Sequence, residues 1–123
     1  MRWICAAGFM LIALAAQAEV VRTELKRSGL TGTDMEVIMT VVEVKPGDTL
    51  GRHIHPGEEA IYVLDGATLE FPDGTQRPYP TGATTINARA VPHAGFKVAG
   101  DKPLKLLTVH IVDKGKPPTE FVK

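Results

Sequence analysis

Residues 47–66 read GDTLGRHIHPGEEAIYVLDG, a stretch in which two histidines and a glutamate surround a Pro-Gly turn. Side chains two positions apart on a β-strand point to the same side, so His53 and His55 can aim their imidazoles at one point. The Pro-Gly pair then turns the chain, and Glu59 opens the next strand, which can return its carboxylate to that point. The spacing predicts a strand-turn-strand unit with three polar side chains converging on one side.

These three side chains are of the kinds that bind metal ions. Two imidazoles and one carboxylate on one side of an ion leave its other side open, an arrangement typical of catalytic non-haem iron, manganese and related ions. A His-X-His pair by itself indicates little, because paired histidines also occur as packed or surface residues. The glutamate across the turn favours a metal site over that alternative.

Strand patterns continue on both sides of this stretch. The hydrophobic residues alternate with a period of two or fill both faces, and no stretch has a convincing helical period. Turn residues recur about every 8–12 residues, which is typical of a β-sandwich or a small barrel. We expect a hairpin at the Pro-Asp-Gly turn of residues 72–74, and strands at residues 37–44, 60–64, 67–71, 75–79 and 104–112.

The N-terminal residues 1–18 differ from the rest and are typical of a cleaved signal peptide. Arg2 provides a positive charge, residues 4–16 form a short apolar run, and small residues precede a cleavage site after Ala18. An uncleaved membrane anchor is the alternative. Cys5 lies at the start of the apolar run, whereas a lipid-attachment cysteine would follow the run. We therefore expect a periplasmic or secreted protein with no membrane span after processing.

The composition excludes several classes of protein. The full chain has 123 residues with 14 Lys+Arg and 14 Asp+Glu, and this balance argues against a nucleic-acid binder, which needs an excess of basic residues. Hydrophobic residues at 44% and charged residues at 23% exclude a disordered or fibrous chain. The only cysteine lies in the predicted signal peptide, so stability must come from packing, a metal ion or an oligomer.

The stretch at residues 47–66 resembles the first sequence motif of the cupins. That motif is Gly, five residues, His-X-His, three or four residues, Glu, six residues and Gly. Every position of it is satisfied here, by Gly47, His53, His55, Glu59 and Gly66. The resemblance extends over about residues 37–112.

The second cupin motif is matched only in part. It reads Gly, five residues, Pro-X-Gly, two residues, His, three residues and Asn, and Gly82 and His93 fall in register. Ala88 replaces the proline, Ala90 the second glycine and Lys97 the asparagine. We expect the turn at Ala90 either to avoid a positive φ or to be strained, and Lys97 could place an ammonium near the pocket rim.

The resemblance implies an all-β fold, a small single-domain jelly-roll β-barrel of the cupin, or double-stranded β-helix, type. Residues 37–112 would form the barrel and residues 19–36 an N-terminal strand or arm. Residues 113–123 would form a tail that packs outside the barrel or stays loose. Cupins of this size often dimerise, so a homodimer is expected through exchanged N-terminal strands, residues 20–25, or through packed sheet faces.

The resemblance also implies a divalent metal ion held by His53, His55, Glu59 and His93. Such a ligand set accepts Fe, Mn, Cu, Zn, Ni or Co, and export of the unfolded chain makes Cu or Zn serious rivals to Fe or Mn. Apolar side chains are expected to share the barrel interior with the ion: Met39, Ile61, Val63, Val91 and Phe96.

Three functions fit these features. The first is a cell-envelope metalloenzyme that binds a small oxygen-rich or aromatic substrate by chelation, as a dioxygenase, isomerase or lyase. The second is a non-catalytic periplasmic protein that binds a small ligand or a metal, and the third is a purely structural cupin. His110 is a candidate catalytic residue if its side of the last strand faces the cavity, and otherwise a packed or outward-facing histidine.

Overall fold

The computed structural model describes residues 20–123, and all regular structure in that range is β-strand. The predicted signal peptide, residues 1–18, lies outside the described residues. The strands are, in chain order, β1 (Val21–Gly29), β2 (Met35–Val44), β3 (Thr49–Leu50), β4 (His53–Ile54), β5 (Gly57–Asp65), β6 (Ala67–Glu70), β7 (Gln76–Tyr79), β8 (Thr84–Asn87), β9 (Phe96–Ala99), β10 (Leu104–Asp113) and β11 (Glu120–Phe121).

Two antiparallel sheets form the walls of the barrel. One has five strands in the order β1-β2-β10-β5-β8, and the other has four in the order β3-β9-β6-β7. A third, two-stranded sheet joins β11 to β4, which carries His53. The neighbours of the five-stranded sheet are mostly distant in sequence, as in a jelly roll. The prediction of an all-β jelly-roll barrel is confirmed. Residues 20–123 contain no helix long and apolar enough to cross a membrane.

The barrel has an apolar end and a polar end. Val44, Val63 and Leu104 are fully buried at the centre of a hydrophobic cluster, where each side chain stabilises the fold by about 1.5–3 kcal/mol. Along the same strands the inward-facing residues become polar, with Thr108 and His110 following Leu104 and Leu106 on β10. One end of the barrel is therefore packed shut, while the other can hold a polar site.

Each strand expected from the sequence overlaps an observed strand, and the hairpin is formed by β6 and β7. The expected N-terminal strand is longer than residues 20–25 and pairs with β2 of the same chain. Its sequence, VRTELKRSG, is mostly polar, and its only large apolar residues are Val21 and Leu25, so hydrophobic alternation gives little sign of its length. Residues of the C-terminal tail also form a strand, β11.

Three predictions about individual side chains are wrong. Val91 is 53% exposed, and Met39 points to the outer face because β2 turns its even-numbered residues inward. Lys97 does not reach the pocket rim, because its Nζ pairs with Glu70 Oε1 at 3.2 Å on the outer surface. The other three predicted interior residues, Ile61, Val63 and Phe96, do point into the barrel.

The departure from the second motif at Ala90 leaves a strained backbone. Ala90 has a φ of 57°, in the left-handed region that favours glycine, while its N–H donates to the carbonyl of His55 at 3.1 Å. A residue with a Cβ costs about 1–2 kcal/mol in this region. The turn that leads to His93 is therefore held in place at some cost in stability.

Ala90→Gly should raise the free energy of unfolding by about 0.5–1 kcal/mol, because relief of the strain outweighs the added entropy of the unfolded chain. Urea unfolding of metal-free protein measures this change. Ala88→Gly is the matched control, since Ala88 has no positive φ, and it should be destabilising instead. Equal effects of the two substitutions would contradict the strain at Ala90.

Candidate metal centre

The start of β4 and the chain before β9 meet at an isolated backbone bridge. His53 N donates to the carbonyl of His93 at 3.1 Å, and His93 N donates to the carbonyl of His53 at 3.0 Å. This pair of bonds brings together two histidines that lie forty positions apart in the sequence. It explains how a residue of the second motif joins the site that the first motif begins.

The four predicted ligands converge at the polar end of the barrel. His55 Nε2 lies 3.1 Å from His93 Nε2, and Glu59 Oε1 lies 3.3 Å from each of these nitrogens. A ring nitrogen of His53 lies within 4.8 Å of ring nitrogens of the other two histidines. The structure therefore brings together all four of His53, His55, Glu59 and His93.

Backbone carbonyls orient the three imidazoles. In each ring Nδ1–H donates to a carbonyl oxygen, which joins His53 to Gly51 (2.6 Å), His55 to Pro118 (2.6 Å) and His93 to Val91 (3.0 Å). A neutral imidazole that donates from Nδ1 carries its lone pair on Nε2. Carbonyl bonds of this kind are usual for metal-binding histidines, since they fix the tautomer and the ring orientation.

The arrangement of donor atoms fits a metal ion. Two neutral nitrogens with their lone pairs facing each other at 3.1 Å repel unless a cation or a proton lies between them. Metal–ligand bonds of about 2.0–2.1 Å place adjacent donor atoms about 3.0–3.4 Å apart. The distances among His55, His93 and Glu59 agree with that range, so these residues suit a divalent transition metal.

The electrostatics of the site favour an ionised Glu59 and a neutral His53. Burial would raise the pKa of Glu59, but the imidazoles of His110, His55 and His93 beside it lower that pKa well below its usual range. Burial lowers the pKa of His53 to about 4, so its ring is neutral near pH 7. Burial would lower the pKa of His93, but the Glu59 carboxylate and the carbonyl of Val91 together raise it.

His110 faces the cavity, on the inner side of β10, and is only 8% exposed. Its Nε2 lies 3.0 Å from Glu59 Oε2, yet this buried nitrogen has no hydrogen bond of good geometry among residues 20–123. The distance shows proximity, and the direction of the ring nitrogen shows that the contact is not a well-formed bond. His110 is thus free to bind a further group within the cavity.

Two contacts of the site were missed by the sequence analysis. Asn87 Nδ2 donates to Glu59 Oε1 at 2.9 Å, because β8 pairs with β5 in a register that sets Asn87 opposite Glu59. Pro118, in the C-terminal tail, accepts the bond from His55 described above. Neither residue belongs to a motif, so their contacts with the site become visible only in the folded structure.

The C-terminal tail packs against the candidate ligands. β11 pairs with β4, Val122 N donates to the carbonyl of Arg52 at 3.0 Å, and the ring of Phe121 lies 5.9 Å from that of His53. Pro118 and Thr119 line the cavity beside the histidines. The tail therefore forms part of the wall of the site.

A cavity of about 410 Å³ extends from the candidate ligands into the barrel. Most of its wall is apolar, and hydroxyl and amide groups from the two sheets interrupt it. The apolar residues are Ile38, Val42, Leu50, Ile61, Leu69, Phe71, Phe96 and Leu106, and the polar ones include Thr40, Thr85, Thr108, Tyr79 and Asn87. A cavity of this size and character suits a small organic molecule.

Comparisons with known proteins agree with this architecture. A family model described as a cupin domain matches residues 40–110. No curated protein matches the chain. Among solved structures, the chain is similar to an uncharacterised conserved protein with a double-stranded β-helix domain from Klebsiella pneumoniae, with a TM-score of 0.63, 17% identity and coverage of 89% of each chain.

Two structures of named enzymes are also similar. The polyketide cyclase RemF from Streptomyces resistomycificus shares 31% identity at a TM-score of 0.56, over 75% of this chain and 63% of the cyclase. The DMSP lyase DddQ from Ruegeria pomeroyi DSS-3 shares 23% identity at a TM-score of 0.60, over 80% of this chain and 50% of the lyase. The chain thus spans less than two thirds of either enzyme.

Truncation after Pro117 should weaken the binding of added Zn²⁺ or Co²⁺ by about 10-fold or more, because it removes the carbonyl that orients His55. Truncation after Phe121 keeps that carbonyl and β11, and should retain most of the affinity. Calorimetric titration measures both, with far-UV circular dichroism as the check on folding. Equal affinities for the two truncated proteins would contradict a role of Pro118.

Proposed function

Because the chain belongs to the cupin domain family, we propose that it is a metal-dependent enzyme acting on a small organic molecule inside the barrel. His53, His55, Glu59 and His93 would hold the ion. One observation carries the proposal: three oriented imidazoles and an ionised carboxylate converge at one end of a largely apolar cavity.

A divalent ion held by these residues would supply Lewis acidity toward an oxygen atom of the substrate. The protein contributes orientation and exclusion of water, since the apolar wall can hold the body of the molecule and raises the strength of polar contacts nearby. His110 is the proposed hydrogen-bonding partner of the substrate at this end. The ligand set accepts Fe, Mn, Cu, Zn or Ni, and export would favour Cu or Zn.

The substrate class we propose is a small oxygen-rich or aromatic molecule. The cavity wall includes the rings of Phe71, Tyr79 and Phe96, which offer apolar faces to a flat molecule. The similarity to a polyketide cyclase at 31% identity points in the same direction. The proposed range of reactions is dioxygenase, isomerase or lyase chemistry on a molecule chelated by the ion.

A non-catalytic binding protein of the cell envelope is the second candidate. It is favoured by the scarcity of acid and base groups in the described part of the cavity, where His110 is the only histidine outside the proposed ligand set. The residues of the signal-like segment support export to a periplasm or beyond for either candidate.

A second copy of the chain is the proposed partner. The outer face of the five-stranded sheet presents an apolar surface that no described element covers, formed by Val37, Met39, Val41, Leu107, Val109, Ile111, Tyr62 and Ile86. Faces of this kind commonly bury themselves against a copy of the same surface. Sedimentation equilibrium measures the oligomeric state, and a monomer at all concentrations would reject this partner.

Turnover separates the two candidate functions. Metal-loaded protein incubated with catechols, flavonols, β-diketones and sugar acids, under air and under nitrogen, should consume at least one of them, as followed by mass spectrometry. Loss of the compound under air alone would indicate an oxygenase, and loss under both gases an isomerase or lyase. A compound that raises the melting temperature and is never consumed would indicate a binding protein instead.

Glu59→Gln should weaken metal binding by about 10-fold or more, since it replaces a charged donor with a neutral one. Glu58→Gln is the matched control. The substitution removes the same charge, but from a residue that is exposed on the outer face. Competition with a metal-binding dye measures both affinities. Unchanged binding in Glu59→Gln would exclude Glu59 as a ligand.

A further inference from the structure

The N-terminal strand β1 contributes charged side chains to the cavity. In its register with β2, Arg22 lies opposite Val42 and Arg27 opposite Ile38, and both partners face inward. A bulge between Glu24 and Lys26 shifts the alternation of β1 so that Arg22, Glu24 and Arg27 all lie on the cavity side. The edge of the five-stranded sheet thus carries two guanidinium groups toward the interior.

The charge of Arg27 is already neutralised. Its Nε and Nη2 donate to the two carboxylate oxygens of Glu24 at 3.0 and 2.9 Å, and its Nη1 donates to Glu36 Oε1 at 2.7 Å. Two carboxylates therefore surround one guanidinium. Glu24 is likewise occupied, so neither residue has a charge left to offer to a ligand.

Arg22 differs from Arg27 in this respect. Its side chain lines the same cavity, yet it makes no ion pair and no side-chain hydrogen bond with any residue from 20 to 123. Burial lowers its pKa, an effect that the nearby charge of Glu59 opposes, and an arginine stays cationic under all ordinary conditions. The cavity therefore has one accessible cation that no described carboxylate satisfies.

Arg22 and the metal centre lie at different levels of the inner face of the sheet. Val42, the partner of Arg22, lies four residues along β2 from Ile38, the residue paired with His110, which corresponds to about 13 Å of strand. Between these levels the inner face carries Thr40 and Thr108. A molecule that spans the cavity would touch the metal at one end and the guanidinium at the other.

We propose that Arg22 binds a carboxylate on the substrate, at the end of the molecule remote from the metal. The inference rests on the proposed function and narrows it: the substrate is an anion with an apolar body and an oxygen donor at its opposite end. A guanidinium suits this task because it can form two parallel hydrogen bonds with a carboxylate.

The test compares two probes that share one metal-binding end. The first is a hydroxamic acid whose alkyl chain ends in a carboxylate, used in a series of increasing chain length, and the second ends in the corresponding primary amide. Full-length metal-loaded protein should bind the best carboxylate probe about 10-fold more tightly than its amide, the gain expected of a charge-assisted pair. Calorimetry or competition measures both affinities.

Arg22→Gln should abolish this preference, and Arg22→Lys should retain part of it. Lys26→Gln, which removes a positive charge from the outer face of the same strand, should leave the preference intact. Equal affinities of the two probes for the wild type, or a preference that survives Arg22→Gln, would overturn the assignment.

The same titrations on chelator-treated protein separate a failure of the proposed metal site from a failure of the proposed anion site at Arg22. If hydroxamate binding does not depend on metal, the proposed metal function fails, and the carboxylate preference of the metal-free protein then reports on Arg22 alone. A preference that persists there and disappears in Arg22→Gln supports the anion site without the metal. Its absence in both forms rejects Arg22 as the anchor.

Discussion

The burial of one carboxylate is the constraint on which the site depends. Glu59 is only 5% exposed, and an ionised carboxylate in such a position costs several kcal/mol unless it is paired and hydrogen-bonded. The structure surrounds it with imidazoles and with the amide of Asn87. Backbone carbonyls hold three of these imidazoles in place, and a divalent cation among them would bring a positive charge to pair with the carboxylate.

The distribution of residues along the strands follows from this constraint. The same strands supply valine and leucine to the packed end of the barrel and threonine, histidine and glutamate to the other. The polar end contains a buried polar cluster and a strained turn at Ala90, both of which lower the stability of the fold. The hydrophobic packing at the other end offsets this cost. The C-terminal tail packs against that site, although its contacting residues lie more than sixty positions from His53 and His55 in the sequence.

The sequence predicted the parts of the structure that depend on short-range spacing. The strand-turn-strand unit of His53, His55 and Glu59 follows from strand alternation, and the resemblance to a family added His93 and the barrel. The contacts of Asn87 and Pro118, and the inward face of β1, depend on the pairing of strands far apart in sequence and on one bulge. Val91 was misplaced because the bridge between His53 and His93 sets the path of that turn.

Counting the metal ions bound to each chain tests the account most directly. Untagged full-length protein, purified without chelators and analysed by plasma mass spectrometry, should contain or take up on titration about one divalent transition-metal ion per chain. Because protons compete with the metal for the imidazole nitrogens and the carboxylate, the bound metal should be released as the pH falls. Protein that carries no metal and takes up none from Zn²⁺, Mn²⁺, Fe²⁺, Ni²⁺ or Cu²⁺ would contradict the account and leave the histidine cluster without a role.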